Sequence, residues 1–245
     1  MKPIRALLAG LAVICSGEAS ALGGLADLTV YDRTEARRLP VYWHQGRAYV
    51  AGKPGNEYQI TVRSRLGEDV LAVVSVDGVN VITGETANPA QSGYVLGGRA
   101  SLDIQGWRKS LAQTAAFYFT SLPDSYAART GRPDDVGVIG VALFRRKQEP
   151  QQISPNARAP VAGARAEAES RLGTGHGRQE TSHAEYVAFE RATSTPAEVV
   201  TLYYDSYRNL VARGVIREPA PIAPCAIPCS PWPRPFPGFV PDPRG

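Results

Sequence analysis

From residue 41 the chain alternates short apolar, β-branched runs with clusters of turn-forming residues. Val41-Tyr42-Trp43 and Arg47-Ala48-Tyr49-Val50 are split by His44-Gln45-Gly46, and Lys53-Pro54-Gly55-Asn56 follows as a turn. Tyr58 to Arg63 (YQITVR) alternates apolar and polar positions, the pattern of a strand buried on one face. Val70 to Val76 (VLAVVSV) is almost continuously apolar, which predicts a central strand covered on both faces. Asp77-Gly78 then precedes Val79-Asn80-Val81-Ile82. An Asp-Gly pair between two β-branched runs predicts a type I′ hairpin, whose central residues both need positive φ. Short strands are also predicted at 93–96, 100–107, 115–120 and 136–144, with Gly, Pro and Asp loops between them. About seven strands at regular spacing and no long helix predict a mainly β fold, an antiparallel β-sandwich over residues 41–147.

The flanking regions read differently. Residues 22–40 form a polar lead-in with a short helical turn at Glu35-Ala36-Arg37-Arg38. Residues 148–170 are rich in Gln, Pro and Ala without apolar periodicity, which predicts a linker. Residues 171–218 predict a small α/β module docked on the sandwich. In it, 181–192 reads as a strand or a helix, and 197–204 as a strand. Asp205 is placed to cap a short helix, Tyr207 to Arg213, that Gly214 stops. The tail, 219–245, holds 10 of the 20 prolines, a density that favours extended polyproline conformation.

The first 21 residues supply an address. Lys2 and Arg5 precede the apolar run Ala6 to Ile14, and Ala19-Ser20-Ala21 provides the small residues of a cleavage site. That order predicts a secretory signal peptide, with an apolar run far below the ~20 residues that span a membrane. The mature chain is expected to begin near Leu22 and to be periplasmic or secreted, with no transmembrane segment after cleavage. Its charge falls from +4 to +3, without a dense basic block. Arg145-Arg146-Lys147 is the longest basic run and closes a strand, so nucleic acid is not an expected partner. Cys15 leaves with the signal, and Cys225 and Cys229 are then expected to close a local disulfide in an oxidising compartment.

Several stretches resemble a family of uncharacterised secreted bacterial proteins. They are Tyr58-x-Ile-x-Val, the run Val70 to Ala87, Gly106-Trp-Arg, Ala116-Phe-Tyr-Phe, Gly137-Val-Ile-Gly-Val, Leu172-Gly-Thr-Gly-His-Gly177 and Tyr203-Tyr-Asp-Ser206. The resemblance covers most of residues 41–217. It implies one architectural unit and brings no activity, cofactor or catalytic residue.

Candidate chemistry is sparse. Gly173, Gly175, His176 and Gly177 read as a flexible connector or a ligand loop, and lack Rossmann or P-loop spacing. His176 and His183 with Cys225 and Cys229 could make a zinc site, although only the cysteine spacing fits. A hydrolase triad can be drawn from Ser206, His176 or His183, and Asp205 or Asp124, with no nucleophile elbow. Asp77, Asn80, Glu85, Asp134 and Asp135 are possible calcium ligands, although turn chemistry already accounts for Asp77 and Asn80. Trp43, Trp107, Tyr94, Tyr118 and Tyr126 are either core or a carbohydrate-type surface. Trp232 and Phe236 in the tail could dock an envelope protein.

The expectation is a non-enzymatic binding or interaction protein of the bacterial cell envelope, with no cofactor and no resident metal. The alternatives are a small secreted hydrolase using His176 or His183, and a metal-binding envelope protein.

Overall fold

The computed structural model describes residues 22–148 and 172–217. The signal segment, the linker, Cys225, Cys229 and the proline tail with Trp232 and Phe236 lie outside the described residues. The fold is mainly β: two seven-stranded sheets packed face to face.

The first sheet contains β1 (Ala26–Asp32), β2 (Arg37–Arg38) and β5 (Glu57–Ser64), with β9 (Ser101–Ile104), β10 (Gly106–Arg108), β11 (Gln113–Ser121) and β13 (Leu172–Thr181). The second runs in the order β3 (Val41–His44), β4 (Arg47–Gly52), β14 (Glu198–Ser206), β12 (Val138–Arg145), β6 (Val70–Val76), β7 (Val79–Asn80), with β8 (Tyr94–Leu96) also on β6. Every pairing is antiparallel except β14 with β4.

The apolar patterns act as expected in the middle of the chain. In β6, Val70, Ala72, Val74 and Val76 enter the core between the sheets, while Leu71 and Val73 pack outward with Ala142 and Phe144. The outer cluster is roofed by Phe189, so this strand is covered on both faces, as its composition predicts. Asp77 (φ +52°) and Gly78 (φ +69°) form the predicted hairpin turn, with Val76 opposite Val79. The expected strand at 100–107 divides into β9 and β10 because its halves pair with different partners, β5 and β11.

Three expectations need correction. The lead-in contains β1, which pairs with β5 along its whole length. Its inward positions are Ala26, Leu28, Val30 and Asp32, and the buried Asp32, bonded by Asn56 Nδ2 at 2.7 Å, disguises the alternation. Residues 182–190 form neither strand nor helix. Residues 172–217 are not a separate docked module: β13 joins the first sheet and β14 lies inside the second. Neither strand can satisfy its backbone or bury its apolar face alone, and each finds both in a different sheet.

A single helical turn, α1 (Tyr126–Arg129), precedes β12, and β14 leads directly into α2 (Tyr207–Ala212). Ser206, rather than Asp205, caps that helix, its hydroxyl accepting from Asn209 N at 3.2 Å. Leu210 then packs with Tyr49, Val215 and Ile216 on the outer face of the second sheet.

Candidate functional site

Gly173, Gly175, His176 and Gly177 lie in β13, paired with β11, and form no loop. Thr174 points into the interior, where its hydroxyl meets Tyr58 OH and Tyr204 OH, each at 2.6 Å. The glycines occupy the opposite face. Tyr118 lies across Gly175, where an added Cβ would overlap its ring. Alternation of glycine with larger residues therefore reflects close packing, not mobility. His176 stacks on Tyr126 with ring centroids 5.6 Å apart. Burial, then Lys109 and Arg129, hold its pKa below the usual value.

Between the sheets runs a chain of polar groups. Tyr204 OH donates to Asp77 Oδ1 at 2.5 Å. Gly137 N donates to the same oxygen at 2.9 Å, and Thr174 N donates to Oδ2 at 2.8 Å. Tyr58 and Thr174 belong to the first sheet, Tyr204 to the second, and Asp77 to the β6–β7 turn. All four are buried. Burial raises the Asp77 carboxyl to about 6, and the Tyr204 hydroxyl and backbone donors keep it from rising further. At neutral pH the carboxylate is ionised and satisfied by three donors. Burial also raises both tyrosines well above their ordinary range, so they remain protonated. This buried chain is a clamp between the sheets, closed to a ligand.

The open chemistry lies at the sandwich edge. A groove of about 820 Å³ runs between β6 and β8 on one side and β9 and β10 on the other. Leu71, Ile82, Val95, Leu102 and Ile104 give it an apolar lining. Residues 182–191 cross it as a strap. The strap is pinned at its ends. Ser182 N donates to Ala112 O at 2.8 Å and Ala184 N to Leu111 O at 2.7 Å. Arg108 donates to Ser182 O at 2.5 Å and to its Oγ at 3.1 Å. Arg191 donates to Pro89 O at 2.7 Å and Gln91 O at 2.6 Å, with its guanidinium 4.1 Å above the Phe144 ring. Between these pins Tyr186 is 91% exposed and Val187 59% exposed. Arg108, Lys109 and Arg191 line the groove together with Asp103, which accepts from Thr61 at 2.6 Å, and Glu185, and among the described residues none of the three cations has a carboxylate within ion-pair distance. Burial lowers the pKa of Arg191.

The other sequence candidates are dispersed. His183 lines the groove, whereas Ser206 and Asp205 sit at the start of α2, and Asp124 bonds to Ser121 at 2.7 Å. Among the described residues neither His176 nor His183 hydrogen-bonds to Ser206, Asp205 or Asp124, so these residues are not brought together as a triad. Among the described residues no group of three or more His, Cys, Asp or Glu side chains is arranged to hold a metal ion. Asn80 Oδ1 accepts from Ile82 N at 2.8 Å, as turn chemistry requires. The five aromatics form no stripe: Trp107 is buried against Phe117, Trp43 is exposed, and Tyr94 faces the groove.

Comparison with family models, with curated proteins and with solved structures gives no match. The site is therefore argued from its own geometry. Sequence reasoning missed the groove because its walls, four strands within residues 70–108, are crossed by a strap, residues 182–191, that lies far along the chain. The signal available was Arg191, a lone cation following the apolar-aromatic run Tyr186 to Phe189.

Proposed function

We propose that this protein is a non-enzymatic binding protein of the bacterial cell envelope, periplasmic or secreted, and that its groove takes an elongated apolar anion. The observation that carries this reading is the strap-covered groove. It combines an apolar lining with three cations, Arg108, Lys109 and Arg191, that lack a carboxylate partner among the described residues, against two acids in the same lining, Asp103 and Glu185, so a small positive excess remains. An apolar lining rewards burial of a ligand chain at about 25 cal/mol per Å². Cations short of counter-charge favour an anionic head over a neutral or cationic one. The signal-like first 21 residues support the compartment.

The test is fluorescence titration with 1-anilinonaphthalene-8-sulfonate, followed by displacement with dodecanoate, dodecanol or dodecyltrimethylammonium. Dodecanoate is expected to displace the probe at the lowest concentration. Val187→Asp and Lys109→Glu, at exposed or edge positions of the groove, are expected to weaken probe binding while circular dichroism stays unchanged. Equal displacement by all three amphiphiles, or indifference to both substitutions, would overturn the reading. The proline tail, outside the described residues, enters as the segment that docks an envelope partner. A pulldown comparing the full chain with one ending at Glu218 is expected to lose that partner.

A further inference from the structure

A second concavity, of about 690 Å³, opens where β4, β14 and α2 meet the loop before β12. One wall is cationic and aromatic. The Arg47 guanidinium lies 5.5 Å from the centroid of the Tyr203 ring, and that of Arg213 lies 5.4 Å from that of Tyr49. The two tyrosine rings are 5.5 Å apart, so the four side chains form a continuous ladder. Stacking on a ring restricts each guanidinium and leaves its forked N–H donors facing outward.

The loop before β12 adds Asp134 and Asp135 to the lining. Asp135 is braced against the Asp77-Gly78 turn. Asp205, at the base, is already engaged: its Oδ1 accepts from Ser206 N and Asn209 Nδ2, both at 2.7 Å. Its Oδ2 meets Arg213 only at 3.5 Å. Among the described residues, Arg47, Asp134 and Asp135 have no ion-pair partner. Arg47 and Arg213 on one side and Asp134 and Asp135 on the loop before β12 thus line one open concavity, and among the described residues no ion pair joins them.

We propose that this cleft binds a small zwitterion, a free amino acid or a short peptide. Its carboxylate lies against Arg47 and Arg213, and its ammonium against Asp134 and Asp135. A simple anion would meet the aspartates and a simple cation the arginines, so the mixed lining selects a ligand bearing both charges. The proposal is independent of the groove and of its ligand.

The experiment is a protein-observed NMR titration with glycyl-tyrosine, its N-acetyl form, its C-terminal amide and free tyrosine. The zwitterionic dipeptide is expected to shift resonances at Arg47, Tyr203 and Arg213. Blocking either end is expected to weaken binding about fivefold, the worth of one exposed charge pair. Arg47→Gln should abolish the sensitivity to amidation and spare that to acetylation, and Asp134→Asn should do the reverse. Both positions are at least partly solvent-exposed, so a loss of fold is checked by circular dichroism. Free tyrosine binding as well as the dipeptide assigns the site to amino acids, and weaker binding assigns it to peptides. Equal binding of blocked and unblocked forms, or no shifts in the cleft at millimolar ligand, overturns the proposal.

Discussion

The interior clamp at Asp77 and the strap over the groove both anchor polar groups across long sequence separations, yet they do so in opposite ways. At Asp77 both carboxylate oxygens are used, by three donors from three segments, and no member is open to solvent. Along the strap, arginines grip backbone carbonyls at the ends, and between the pins Tyr186 and Val187 face solvent while Phe189 packs on the second sheet. A fully satisfied buried network fixes one arrangement. A segment held mainly near its ends, and exposed between them, keeps local freedom to adjust. The clamp thus ties the sheets together, and the strap is where the proposed groove ligand would meet adjustable chain.

The sharpest way to break this contrast is to remove the clamp. Asp77→Ala leaves Tyr204 OH, Thr174 N and Gly137 N without their acceptor. It is expected to cost about 3–5 kcal/mol in urea unfolding, since each orphaned buried donor costs about 1–3 kcal/mol. A loss below about 1 kcal/mol would show that the chain is not what ties the sheets.

The same carboxyl predicts an unusual pH dependence. Its folded pKa of about 6 lies above the ordinary value of 3.8, so the native state binds the proton more tightly than the unfolded state. The stability contributed by this group is therefore greatest below the unfolded value. It declines as pH rises through the window from 3.8 to about 6, and is flat above that. The contribution is about 2–3 kcal/mol across the window, at about 1.4 kcal/mol per pKa unit. Asp77→Asn should lack it, so the stability gap between wild type and variant should widen as pH falls from 7 to 4. A constant gap would refute it.

Gly175→Ala tests the face of β13 opposite Thr174. Its Cβ would overlap the Tyr118 ring, an overpacking expected to cost about 1–3 kcal/mol in thermal or urea unfolding. The added substitution Tyr118→Ala should recover part of that loss. The smallest global effect is expected at the strap. Arg108→Met should lower stability by no more than about 1 kcal/mol, because these bonds are partly exposed. Hydrogen exchange over residues 182–190 should nevertheless accelerate clearly while the interior strands stay protected. Uniform acceleration would mean that the strap belongs to the global unit.

The parts of this fold that were legible in the sequence are those governed by neighbours in the chain. The period-two pattern of 58–63, the apolar run of β6 and the Asp77-Gly78 turn are local signals, and each produced the expected element. β1 was hidden because its inward face ends in Asp32, a polar residue whose carboxylate is satisfied there by Asn56 Nδ2 and Glu35 N. The role of β13 was hidden for a similar reason. Its glycines signal flexibility when read alone and close packing once Tyr118 lies over them. No local pattern links Asp77 to Tyr204, which is 127 residues away. The two concavities depend on the same long-range assembly, so their charges gave no pattern in the sequence.

The position of β14 has a consequence for the order in which this chain can be made. It fills the slot between β4 and β12 and is followed within the described residues only by one short helix and a few residues. A nascent chain that ends before it presents two exposed strand edges in the second sheet, each ready to pair with another molecule. Insertion of a late strand between two early ones is a non-local event and is expected to be slow. The interval before β14 docks is therefore the period in which this protein is most exposed to aggregation and most in need of a chaperone.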